Sequence, residues 1–209
     1  MPFTQLQPIW NHLFTLVGIP VEAGSRLWQE IILRYNESQR AYHNLTHIAY
    51  CYQIAHPFLD MVPDPIAVQL AIWFHDIIYN PRATDNEEQS ACYAGAELIQ
   101  VGVADNLVAE VQRLIRLTQT HQAEPDDGNA HLLLDADLAI LGAAAPEYSR
   151  YAQAIRQEYA WVSDEAYRQG RGRVLHHFLA REHLFWLPRL CQEREQTARQ
   201  NIQTELQQL

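Results

Sequence analysis

Lysine is absent from this chain, and all fifteen basic residues are arginine. Contacts to phosphate, if the chain makes them, must come from guanidinium forks, backbone N–H groups, histidine or a metal ion. Cysteine is scarce: Cys51, Cys92 and Cys191 are odd in number, far apart and without CxxC spacing, which fits a reducing compartment better than a disulfide framework. Positive charge is in deficit, with a formal net charge of −10, and this argues against a nucleic-acid polymer as principal partner, since such binding runs on clustered positive charge. A small anionic substrate remains admissible, because a bound cation sets the local field whatever the global balance. No segment approaches the roughly eighteen uninterrupted apolar residues of a membrane span, and the opening MPFTQLQPIW lacks a basic segment followed by a long apolar run. The expectation is a soluble cytoplasmic protein without a membrane partner.

Period-two alternation and hairpin turn chemistry are also missing, so the expected fold class is all-α. The 209 residues suit one domain, with no internal repeat and no clear linker. Apolar positions at helical spacing predict helices over 4–17 and 22–36. SQRAYHN, 38–44, reads as a connector, with Asn44 capping a helix through THIAYCYQIAHPFL that Pro57 kinks or ends. Thr84 with Glu87 and Asp85 with Glu88 offer two capping boxes for a helix reaching Gly102. Asp105 is expected to cap the next, which ends near His121. QAEPDDGNA reads as a polar loop, HLLLDADLAILG as a short apolar helix stopped by Gly142. Pro146 and Asp164 open two more helices, and 191–209 carries only Ala198, Ile202 and Leu206 as a thin apolar stripe, like a surface helix or docking arm.

The stretch that organises the rest is DPIAVQLAIWFHDIIYN, 64–80. Asp64 is a good N-cap and Pro65 suits the first helical position. Beyond them almost no polar face remains, so a helix here is expected to be buried on most sides, with His75 and Asp76 in it. A buried carboxylate beside an imidazole is costly unless both are hydrogen-bonded or bind a metal. Ala67 and Ala71 share a face with His75 and would admit a neighbouring helix, so a site between packed helices is expected. His47 and one of Asp135 or Asp137 are likewise embedded in apolar helices. Two imidazoles and two carboxylates suit a transition metal that keeps waters in its other positions. Such a cation lowers the pKa of bound water and binds a phosphoryl oxygen.

The order H…HD…D on successive helices resembles the HD superfamily of metal-dependent phosphohydrolases. YHNLTHI, WFHDIIYN, DNEEQSA and LLLDADLAILG look like its small bacterial branch, over about 40–142, and EYAWVSDEAYRQGRGRVL looks like it more loosely. The resemblance implies a single HD-type helical domain over 1–209, with a motif core at about 40–142 and a helical extension at 146–209. It implies His47, His75, Asp76 and Asp137 as metal ligands, Asp137 being preferred to Asp135 because Ala136, Asp137 and Leu138 match the family's ADxL-like setting. Two departures qualify it: Tyr79 stands where many members carry lysine, and Asn86 precedes Glu87 where two-metal members place histidine. One divalent ion is therefore expected, manganese, iron, nickel, cobalt, zinc or, less readily, magnesium.

Asp76, Glu87 and His121 are the candidate catalytic groups, and His43, His121 and Arg156 the candidate substrate contacts. Each has a plainer reading: a helix cap for Glu87, a helix-end cation for His121, a loop histidine for His43, a solvated helix face for Arg156. Ser90, with Glu87, matches an ExxS pattern that orients ligands from behind. The function expected is hydrolysis of a phosphomonoester or phosphoanhydride in a nucleotide or other small phosphorylated metabolite. The alternatives are a metal-containing nucleotide sensor without turnover and, more remotely, a di-iron oxygenase. A homodimer through the polar C-terminal helix is a further expectation.

Overall fold

Caps and prolines set the element boundaries in the structure, a computed structural model that describes residues 6–209. The described residues form ten α-helices and contain no strand, as expected from the missing alternation. In order these are α1 (Leu6–Leu16), α2 (Val21–Tyr35), α3 (Leu45–Ala55), α4 (Pro65–Phe74), α5 (Asn86–Gln100), α6 (Asp105–Leu117), α7 (Gly128–Leu138), α8 (Ala145–Glu158), α9 (Asp164–Leu179) and α10 (Pro188–Gln208). Short 3-10 segments, His56–Met61 and Ala139–Gly142, continue α3 and α7. No helix among the described residues is long and apolar enough to cross a membrane. The chain divides into two compact units, 1–136 and 137–209, and the division falls inside α7.

In the first unit, α4 is the axis. Every residue from Ala67 to Phe74 is buried, and α1, α3, α5 and α6 pack around it. Trp73 meets Trp10 and Trp28 edge-on, with ring centroids 5.6 and 5.7 Å apart, and Phe14 and Phe74 extend the cluster from Trp10. Full burial of a side chain such as Ile72 or Phe74 contributes about 1.5–3 kcal/mol. The Asp64 cap forms as read, its side chain accepting from the Ala67 N–H at 2.9 Å. The Asn44 cap also forms, on Thr46, and α3 gives way to 3-10 geometry one residue before Pro57 would break its ladder.

Other starts differ from expectation. Asp105 is the first residue of α6 and not its cap. Ser163 rather than Asp164 caps α9, accepting from Ala166. Asp85 makes no capping bond, and Glu88 is drawn instead to Arg116, at 2.6 and 2.8 Å, so that capping box does not form. Part of the polar loop is helical: Asp127 Oδ1 accepts from Ala130 and starts α7 at Gly128. Asn129 then ties this end of α7 to the start of α4, accepting from the Asp64 N–H and donating to Glu110 on α6.

In the second unit, α10 docks largely through polar side chains. Asn201 donates to the carbonyls of Leu141 and Ala143, and Arg199 to those of Leu179, Arg181 and Glu182. Glu205, buried, accepts from Arg171 at 2.7 and 3.0 Å and from Tyr148 at 2.5 Å. Ala198 and Ile202 of the expected stripe are buried, while Leu206 is half-exposed.

Two expectations test these contacts. A Cβ at Gly142 would lie 2.6 Å from the Arg194 Cβ and 2.9 Å from its carbonyl oxygen, whereas one at Gly170 in α9 meets nothing within 4 Å. Chemical denaturation is expected to show Gly142→Ala losing about 1–3 kcal/mol and Gly170→Ala gaining about 0.5–1 kcal/mol. The second concerns acid. Hydrogen bonds from Arg113 hold Glu110 below its ordinary value; burial raises Asp127, but Arg113 and the Ala130 N–H outweigh it and lower the net result. Both carboxyls bind fewer protons folded than unfolded, so their contribution is complete above roughly pH 5 and fades as pH falls through the folded values. Arg113→Ala is expected to flatten the pH dependence of the urea midpoint between about pH 5 and 3.

Candidate metal centre

His75 follows the last residue of α4, its N–H still bonded to the Ala71 carbonyl at 2.9 Å. The pair His75–Asp76 thus stands at the helix's C-terminal end and not within it, a correction to the sequence reading. The apolar run from Ile66 to Phe74 fixes how deep that end lies, and the chain then turns, so the two side chains can approach from one end of a buried rod. His47, one turn into α3, faces them.

The two ring tips meet, with His47 Nε2 and His75 Nε2 3.0 Å apart. Asp76 Oδ2 lies 3.1 Å from His75 Nε2 and 3.4 Å from His47 Nε2. Both rings are buried, and the Asp76 side chain retains 17% exposure, an opening toward solvent at one side of the group. His75 Nδ1 sits 3.0 Å from the Ile72 carbonyl oxygen, which only accepts, so Nδ1 carries a proton and Nε2 is the nitrogen turned to the centre. His47 Nδ1 is 3.1 Å from the Tyr42 hydroxyl, which orients the second ring. Burial pushes the Asp76 carboxyl upward, but the His75 and His43 charges and hydrogen bonds from His47 and His75 outweigh it, holding the group well below the usual carboxylate range. It stays ionised.

Asp137 rides on the last turn of α7, a helix that begins in the first unit. Its carboxylate, the Cys51 thiol and the two imidazoles all bring donor atoms within 4.8 Å of one another. Asp135 is fully buried and is not one of these four residues. Cys51 went unassigned in the sequence, although its place one turn after His47 on the same face was the available signal. Its sulfur is 3.6 Å from both His47 nitrogens, which puts it over the ring and not in line with either lone pair.

The donor set fits a metal ion. Nitrogen and oxygen ligands at about 2.0–2.2 Å from a common centre stand roughly 2.9–3.5 Å apart, and the triangle of His47, His75 and Asp76 has sides of 3.0, 3.1 and 3.4 Å. Imidazole, carboxylate and a nearby sulfur together favour zinc, iron, cobalt or nickel over magnesium.

The remaining candidates separate. His43 lies beside the centre in the connector, stacked on Tyr79 with centroids 4.3 Å apart and 5.9 Å from the His47 ring. Tyr79 thus presents an aromatic face to His43. Glu87 is half-buried in the first turn of α5. Ser90 and Asn86, one turn apart on α5, bracket the segment after the motif: Ser90 Oγ takes the Ile78 N–H at 3.1 Å and donates to its carbonyl at 3.2 Å, while the Asn86 amide bonds the Asn80 N–H and carbonyl at 2.9 and 3.0 Å. Arg156, in the second unit, ties the end of α8 to the start of α9 through the Tyr159 carbonyl and Asp164. His121 closes the helical turn after α6 with a left-handed backbone, φ 51°, its N–H on the Leu117 carbonyl.

No protein-family model, no curated protein and no solved structure matches the chain. The described residues are all-helical and carry a His/Cys/His/Asp group able to hold a metal ion.

A left-handed backbone at a residue with a Cβ costs about 1 kcal/mol. His121→Gly is therefore expected to leave the melting temperature unchanged or raise stability by up to about 1 kcal/mol, so any accompanying loss of activity reports the imidazole and not the fold.

Proposed function

We propose that the chain is a metal-dependent phosphohydrolase acting on a nucleotide or another small phosphorylated metabolite. The observation that carries the reading is the buried convergence of His47 Nε2, His75 Nε2 and Asp76 Oδ2 within 3.0–3.4 Å, in the order that the HD superfamily resemblance implies. His47, His75, Asp76 and Asp137 would hold one divalent ion. Such an ion, when bound, supplies Lewis acidity toward water and toward a phosphoryl oxygen.

The chain's own side chains divide the remaining work. His75 and His47 turn their Nε2 atoms inward because their Nδ1 atoms are engaged by Ile72 and Tyr42, and a bound ion would displace any proton those Nε2 atoms carry. Asp76 keeps its negative charge and would serve as a ligand and as a hydrogen-bond acceptor for water at the centre. His43, against the Tyr79 ring, is placed to neutralise a phosphoryl oxygen at the edge of the centre. His121 and Glu87 enter this reading as candidate substrate or proton-transfer groups. Asn86, with both amide atoms used on Asn80, supports a single-ion centre.

Elemental analysis of the purified chain and a panel of phosphate esters test this. The expected outcome is about one transition-metal ion per chain and release of inorganic phosphate. His75→Ala and Asp76→Ala are each expected to lose retained metal and to drop kcat by about 10²-fold or more, with helicity by circular dichroism kept. Full turnover by either variant refutes the proposal.

A further inference from the structure

Arg40 lies in the connector between α2 and α3, and its side chain has no exposure. A buried guanidinium is costly unless its donors are all engaged. Here Nη1 donates to the His43 carbonyl at 3.0 Å and to the Asp76 carbonyl at 2.6 Å, Nη2 to the Ile77 carbonyl at 3.0 Å, and Nε to Glu37 Oε2 at 3.0 Å. Its plane also lies against the rings of Tyr35 and Tyr79, 5.0 and 5.5 Å from their centroids. Three of the four bonds run to backbone oxygens of two segments far apart in sequence. One is the strap that leads into His47; the other follows α4 and contains the His75–Asp76 pair.

We infer that Arg40 is a positioning residue of the metal centre: its guanidinium braces the His43 carbonyl against the Asp76 and Ile77 carbonyls and so fixes the separation of the His47 and His75 tips. The physical case is one of geometry. Carbonyls past the last turn of α4 have no partner within the helix, and a cation there is favoured by the helix dipole. Lysine, a point charge with three donors on a flexible stem, cannot reproduce a planar fork reaching three carbonyls and a carboxylate at once. Arg40 touches none of the metal-binding side chains; it acts on the backbone that carries them. Tyr42, two residues on, meets the His47 Nδ1, so one short strap sets both the position of that ring and its orientation.

This rests on the metal-centre reading above, and the test separates the two. Affinity for cobalt(II) and zinc(II) is measured by chelator competition on the wild-type chain, Arg40→Lys and Arg40→Gln, with circular dichroism of each. The expected result is a wild-type site that binds either ion, and folded variants that bind about 10–100-fold more weakly, as for other groups that orient ligands from behind. Folded variants that bind within about threefold of wild type overturn the role of Arg40 and leave the metal centre standing. Loss of helicity in both variants makes the brace an element of the fold alone, and overturns the assignment too. A wild-type chain that takes up neither ion removes the metal-centre reading itself, and this inference with it.

Discussion

Two imidazoles and a carboxylate crowded against one another in an apolar interior form the constraint to which the first unit answers. Removed from water, each polar atom must find a partner or raise the free energy of the folded state by more than a surface contact returns. The outer atoms are assigned to the Ile72 carbonyl and the Tyr42 hydroxyl, which leaves the inner ones facing each other. α4 supplies the depth, α3 the opposing ring, and the segment after Asp76 is held at its backbone by α5 through Ser90 and Asn86.

What the sequence disclosed and what it hid follow from range. Asp64, Pro65 and Asn44 act on atoms two or three residues away, and their caps were legible without knowledge of the fold. His47, His75, Asp76 and Asp137 stood out as candidates because polar groups in apolar helices need an account and because their order resembles that of the HD superfamily. The end of α4 at Phe74 was not, since Ile77 and Ile78 prolong the apolar run while the chain has already turned. The Arg40 bonds span thirty-six and thirty-seven residues, and nothing local distinguishes that arginine from its neighbours. Glu88 followed the same logic: a capping box satisfies the local pattern, but Arg116, twenty-eight residues on, offered two charge-assisted bonds.

The donor group also explains why an acidic chain without lysine remains compatible with an anionic substrate. Local field and global charge are separate quantities, and a divalent cation among Asp76, Asp137 and two neutral imidazoles would govern the former. The Tyr79 ring and the half-buried His43 stack on each other beside that group.

The polar seating of α10 bears on how the second unit comes apart. Its inward contacts join arginine and asparagine forks on carbonyls, and a glutamate shared by Arg171 and Tyr148, to the buried Leu190, Ala198 and Ile202. Detaching such a helix wets those three side chains and leaves buried carbonyls without their donors. Its release therefore carries a smaller heat-capacity increment and a shallower slope against urea than exposure of the tryptophan-rich interior around α4.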